Sequence, residues 1–143
     1  MINTTALTNI NLFTPTAVAI FWAGASVAID QETRSKFWAS GVNDAQAFDV
    51  GVAVFTYQGI LESTLAAAAL GSAVYYRSDL LVPYNEKALG VALVAHILQR
   101  GVFIKSLRPR AEQLAKGLKV PPSNSHFAFL ALEVVKLGAL LTV

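Results

Sequence analysis

Three of the four apolar stretches in this chain carry ionisable or amide side chains in their midst, and this combination restricts the fold more than any other feature. The stretches cover residues 12–29, 48–76, 83–104 and 126–143. Each is close to the roughly 20 residues that cross a bilayer as a helix. The first is free of charge, and the second carries Asp49, Gln58 and Glu62. The third includes His96, Gln99 and Arg100, and the fourth Glu133 and Lys136. Hydrophobic residues make up 55% of the 143 and charged residues 14%, against roughly a quarter charged in a soluble domain. A small domain leaves too much surface facing solvent to hide that excess. The expectation is an all-α, integral membrane four-helix bundle forming one domain over 1–143. A disordered chain is excluded by the hydrophobicity. With no cysteine in the sequence, disulfide scaffolds, zinc thiolate sites, iron–sulfur clusters and cysteine catalysis are excluded too.

Polar loops are expected at Asp30–Ala47, Arg77–Val82 and Lys105–Ser125, with Pro121 and Pro122 stopping one helix and Ser123 to Ser125 capping the next. Ser26-Val27-Ala28 resembles a signal-cleavage site, but no basic residue precedes the first stretch, so it is read as a retained helix. Counting Lys and Arg by side places seven (Arg34, Lys36, Lys105, Arg108, Arg110, Lys116, Lys119) opposite two (Arg77, Lys87). The positive-inside rule then puts both chain ends on the lumenal side. Asn3-Thr4-Thr5 is a glycosylation sequon on that side, which fits an endoplasmic-reticulum protein. The basic third loop lacks interleaved aromatics, so it sets topology and does not bind nucleic acid.

Ionisable groups inside a span are costly unless they face protein or a wet cavity, so each is a candidate functional group. Gln58 and Glu62 form a polar stripe at i and i+4. They serve either as helix-joining hydrogen-bonders or as a catalytic or ligand site. His96, Gln99 and Arg100 share one face by spacing. Arg100 keeps its proton and must meet an anion, carbonyls or water. It is read either as a snorkelling arginine or as a cation for a substrate thiolate, carboxylate or phosphate. Glu133 and Lys136, at i and i+3, neutralise one another within one helix. No metal is expected, since no second histidine stands near His96. The tyrosines Tyr75, Tyr76 and Tyr84 fit an interfacial belt, with Trp22 and Trp38 in or near spans. Gly24, Gly51, Gly59 and Gly71 suit close helix approach.

The string ASGVNDAQAF places Asn43, Gln46 and Phe48 where a second-helix signature of the form Arg-Ala-(His/Gln)-x-Asn-x-x-Glu has its Asn, its Glu and a following aromatic. LQRGVFIKSL offers Arg100 and Phe103 near the cytosolic end of the third helix. With these residues the chain resembles the MAPEG superfamily, the membrane-associated proteins of eicosanoid and glutathione metabolism. It departs from the pattern at Ala39, at Gln46, and at Leu89 and Leu93, where tyrosines are expected. The resemblance implies a homotrimer with sites between subunits, glutathione as cofactor, Arg100 stabilising its thiolate, and Asn43 and Gln46 orienting the tripeptide.

The favoured function is a small membrane enzyme acting on a lipophilic substrate taken from the bilayer, in the glutathione-dependent transferase version just described. A cofactor-free isomerase or cyclase is the alternative, with Glu62 as a general acid in an apolar surround and His96 or Asp49 as base. A non-catalytic accessory subunit or lipid-binding protein is a second, its polar residues merely joining helices. Gln99, Gln58 and Asp49 join the candidate binding residues. An ion pathway through Glu62 and His96 needs more aligned polar groups than the sequence has.

Overall fold

The computed structural model describes residues 13–39, 41–78, 82–121 and 123–143. The sequon Asn3-Thr4-Thr5 and the first residue of the 12–29 stretch lie outside them. The described residues are all helical or loop: α1 (Pro15–Ser35), α2 (Asp44–Tyr75), α3 (Glu86–Leu98), a π turn (Gln99–Phe103), α4 (Ile104–Ala115) and α5 (Ser125–Leu140). Because α3, the π turn and α4 run on as one helix over Glu86–Ala115, they make four rods.

Local chemistry sets the helix starts. Pro15 opens α1 with its fixed φ, and the Thr14 hydroxyl accepts the Ala17 N–H at 3.3 Å. Asn43 and Gln46 form a reciprocal capping box at the head of α2. The Asn85 side chain accepts the Ala88 N–H at 3.1 Å to begin α3. At the other end of the long rod, Gly117 takes φ +72° and α4 stops at Ala115, so this left-handed glycine, and not Pro121 or Pro122, ends the helix.

The rods alternate in direction. Ser72 at the end of α2 donates to the Phe13 carbonyl just before α1. Tyr84 donates to the Ala73 carbonyl at 3.1 Å. The Val143 carbonyl accepts from Thr16 at 3.2 Å and from the Asn85 N–H at 3.2 Å. These contacts gather the starts of α1 and α3 with the ends of α2 and α5, an up-down-up-down bundle. At the opposite end, Arg110 donates to the Pro121 carbonyl.

Two expected boundaries move. The loop expected at Asp30–Ala47 is helical to Ser35 and again from Asp44. The loop expected at Lys105–Ser125 is helical to Ala115, because α4 keeps an amphipathic pattern with Leu107 and Ala111 buried, and Pro109 sits on its exposed side. Among the described residues, two helices, Asp44–Tyr75 and Glu86–Ala115, are long and apolar enough to cross a membrane. The last turns of α1 hold Asp30, Gln31 and Glu32, and α5 has 16 residues.

The apolar core is small-residue packing around one large ring: Ala19, Ala23, Ala69, Ala73 and Ala92 surround Trp22, with Leu89 and Leu140. Trp22 is therefore interior. Large side chains such as Phe21, Ile60, Leu70, Val94, Ile97, Phe127 and Val134 point outward. Ser26, Gln58, Glu62, His96, Gln99, Glu133 and Lys136 point inward. This reverses the usual distribution of apolar and charged side chains.

Candidate functional site: a buried ion cluster beside an open arginine groove

All four rods contribute to a polar cluster at mid-bundle. Glu62 of α2 accepts at Oε1 from Ser26 of α1 at 2.6 Å and from Lys136 of α5 at 2.7 Å. Its Oε2 faces His96 Nδ1 of α3 at 3.4 Å, longer than a well-formed hydrogen bond. Lys136 also meets Glu133 at 2.9 Å. Gln99 donates to Glu133 at 2.8 Å and to the Phe129 carbonyl at 3.2 Å. Trp22 closes one side, its ring edge-on to His96 at 5.4 Å and 6.0 Å from the Lys136 ammonium. Lys136 is 0% exposed and Glu62 2%, so one ammonium is shared by two carboxylates away from solvent, with Glu133 Oε1 left without a hydrogen-bond partner among the described residues.

The i, i+3 pairing of Glu133 with Lys136 is thus present but incomplete as an account: Lys136 is shared with Glu62, which joins α5 to α2. The surround of Glu62 is likewise not apolar. It receives an ammonium and a hydroxyl, which suits a carboxylate acceptor and removes the basis for a general-acid role there.

His96, Gln99 and Arg100 do not share a partner despite their spacing. The π turn inserts one extra residue, with the Ile104 N–H bonded to the Gln99 carbonyl, and so reorients the side chains around it. His96 faces α1 and α2, Gln99 faces α5, and Arg100 returns to α2, where it donates to the Phe55 carbonyl at 3.3 Å. Gly59 makes room for it. A methyl group added there would overlap the guanidinium, so the arginine occupies the volume a side chain would fill. Gly51 is close to the Lys36 ammonium in a similar way, whereas Gly24 and Gly71 have nothing near them and do not serve close approach.

Arg100 is half-buried and lines a groove of about 640 Å³ between α2 and the π turn with α4, together with Phe55, Gly59, Ile60, Ser63 and Arg108. At its polar end Arg108 pairs with Glu112 at 3.0 Å, both exposed to solvent. Ser63 also faces this groove, and its hydroxyl lies 3.2 Å from His96 Nε2. One imidazole therefore touches both regions, with Nδ1 toward the buried carboxylate and Nε2 toward the open serine.

The remaining candidates lie elsewhere. The Gln46 N–H bonds the Asn43 side chain at 2.9 Å, and the Asn43 N–H bonds the Gln46 side chain at 3.1 Å. Both residues are exposed, and their side-chain oxygens are used in the cap. They stand 13 to 16 residues before Gly59 in the same helix, roughly 20 Å along its axis, so within one copy they do not share the Arg100 groove. Asp49 is exposed and 13 residues from Glu62, again roughly 20 Å away, so within one copy Asp49 as base does not meet Glu62 as acid. Gln58 is buried on the Glu62 face as the spacing predicts, and its Nε2 has no hydrogen-bond partner among the described residues. No group of three or more metal-ligating side chains occurs among the described residues.

Sequence reasoning missed Ser26, Ser63 and the cross-helix role of Lys136. The spacing Gly59-x-x-x-Ser63 was a usable signal, since two small residues one turn apart open a slot on a helix face. Ser26 offered none, being one serine in an uncharged stretch.

A second cavity, of about 360 Å³, lies at the loop end of the bundle, lined by Phe37, Phe48 and Phe55 with Lys36, Arg110 and His126. Partial burial holds the Lys36 amine below the usual lysine range, with Glu32 opposing that shift.

Comparison with protein-family models, curated proteins and solved structures found no match to this chain.

Proposed function

We propose that this chain is an integral membrane four-helix bundle enzyme that acts on a lipophilic substrate, with the Arg100 groove as its substrate site. The observation that carries this reading is the state of Arg100. Its guanidinium is half-buried at the wall of an open groove, with one hydrogen bond among the described residues, to the Phe55 carbonyl. Five N–H donors on a permanent cation exceed that one acceptor, so Arg100 at the groove wall retains donors for a ligand. The partner it fits is an anionic oxygen or sulfur carried by an apolar molecule.

The inverted surface supports the membrane setting. A bundle with Lys136, Glu62 and Glu133 inside and Phe21, Ile60, Leu70, Val94 and Ile97 outside is matched to lipid, which solvates apolar side chains and leaves polar ones to pair with each other. In the orientation set by the basic residues, both chain ends are lumenal in the endoplasmic reticulum and the Arg108 end of the groove faces the cytosol. A fatty carboxylate entering from the bilayer would place its head at Arg100 and its tail along Ile60 and Ile104, which line the same groove. The thiolate of glutathione, in the MAPEG-like version, belongs to the same class of anion. The fixed positions of Asn43 and Gln46 in the α2 cap favour the lipid anion.

The test is equilibrium binding of a fluorescent palmitate to the full chain in nanodiscs of neutral lipid. Wild type should bind saturably, and Arg100→Gln should weaken binding by about tenfold or more, the size of a lost charge-assisted hydrogen bond. Equal affinities in the two proteins would refute the reading.

A further inference from the structure

We infer that Ser63 is the nucleophile of an ester-hydrolysing site, with His96 as its general base and Glu62 positioning the ring. The inference rests on the lipid-anion reading of the Arg100 groove and specifies its substrate as a long-chain carboxylic ester. Three contacts carry it. The Ser63 hydroxyl and His96 Nε2 are 3.2 Å apart, within reach for proton transfer. His96 Nδ1 faces Glu62 Oε2 at 3.4 Å, so the carboxylate favours the tautomer with its proton on Nδ1 and leaves Nε2 free to accept. Glu62 is itself fixed by Ser26 and Lys136, and Trp22 packs against the ring at 5.4 Å. The imidazole is therefore held between Trp22, the carboxylate and the serine.

Serine, base and orienting carboxylate recur in this relation on unrelated scaffolds and are recognised by geometry, not by their order in the chain. Here the nucleophile and the carboxylate are consecutive residues of α2. That arrangement works because Glu62 points into the bundle while Ser63, about 100° further round the helix, points into the groove. His96 bridges them from α3.

A helix interior has no free backbone N–H to stabilise an oxyanion, and Arg100 supplies donors instead. Its guanidinium fills the side-chain position of Gly59, one turn from Ser63 and so roughly 6 Å away along the axis. An ester seated with its carbonyl carbon against Ser63 directs its oxygen toward that cation.

In the first step the Ser63 oxygen attacks the carbonyl carbon while His96 Nε2 takes the hydroxyl proton. The tetrahedral intermediate collapses, the bond to the alcohol oxygen breaks, and His96 returns the proton to that oxygen, which leaves as the free alcohol. Water reaching the groove from the Arg108 end then attacks the acyl-serine. His96 takes the water's proton and passes it to Ser63 as the acyl bond breaks, releasing a fatty acid. One water is consumed per ester. The product carboxylate is the anion that the binding assay places at Arg100.

The experiment treats the full chain in nanodiscs with a long-chain alkyl fluorophosphonate and locates the adduct by mass spectrometry, alongside palmitate binding on the same samples. Labelling is expected on Ser63, to be absent in Ser63→Ala, and to be at least about 100-fold slower in His96→Gln, the usual scale of a lost general base. Glu62→Gln should slow labelling while palmitate affinity holds, a split that a packing defect would not produce. Palmitate binding without any adduct on Ser63 would overturn the nucleophile assignment, and an adduct that forms in His96→Gln at the wild-type rate would overturn the general-base assignment, each leaving the groove reading standing. Absence of palmitate binding in the wild type would overturn the groove reading itself.

Discussion

Two groups of charge lie side by side in the middle of this bundle, and they differ in what surrounds them: one is enclosed by protein and the other opens to a groove. In the interior cluster, Lys136 meets two carboxylates, and Glu62 takes donors from two other helices besides facing His96. At the groove, Arg100 has one hydrogen bond among the described residues, to the Phe55 carbonyl, and an open side. Charges that pair across helices hold those helices together. A charge with unused donors at a cavity wall is available to a ligand. Burial alone would have ranked these the other way, since Lys136 and Glu62 are the more deeply enclosed.

The sharpest way to break this contrast is Lys136→Met. It leaves Glu62 and Glu133 as uncompensated buried carboxylates, and the expected cost is about 3–5 kcal/mol, measured by reversible unfolding in detergent. Neutralising all three positions together, with Lys136→Met, Glu62→Gln and Glu133→Gln, should recover much of that loss. A Lys136→Met protein as stable as wild type would mean that the cluster is not structural.

Gly59→Ala probes the other side. The added methyl occupies the guanidinium's place, so Arg100 must move, and palmitate affinity should fall by about tenfold. Overpacking adds a stability cost of about 1–3 kcal/mol. Retained affinity would show that the arginine binds from elsewhere. The smallest effect is expected at the α2 cap. Asn43→Ala should cost about 1 kcal/mol and leave both palmitate binding and fluorophosphonate labelling unchanged. A tenfold loss of ligand affinity there would restore Asn43 to the binding site.

The sequence made the helices legible and their ends less so. Apolar length located all four rods, because burial and helix periodicity act over many residues. Boundaries at Ser35 and Ala115 escaped because amphipathic polar turns extend α1 and the long rod beyond the apolar runs. For the site, residue type was informative: Glu62, His96, Gln99, Arg100 and Gln58 were singled out as polar groups in apolar context and all lie in the bundle interior or groove. What each one faces was not legible. The π turn at Gln99–Phe103 divides a face that the 3.6-residue period treats as single, and Lys136 reaches across to α2 in a way that its own helix does not indicate. Asn43 and Gln46 illustrate the reverse case, since Asn-x-x-Gln reads equally well as a capping box, and that is the role the structure gives it.

The central claim, that Arg100 serves a ligand while Lys136 serves the fold, is tested most directly by measuring palmitate affinity and unfolding free energy together for Arg100→Gln in nanodiscs and detergent. The account predicts an affinity about tenfold weaker or more, with stability changed by no more than about 1 kcal/mol, the scale of the single Phe55 hydrogen bond lost. An Arg100→Gln protein that binds palmitate as wild type does and unfolds several kcal/mol more easily would place Arg100 with the structural charges and contradict the account.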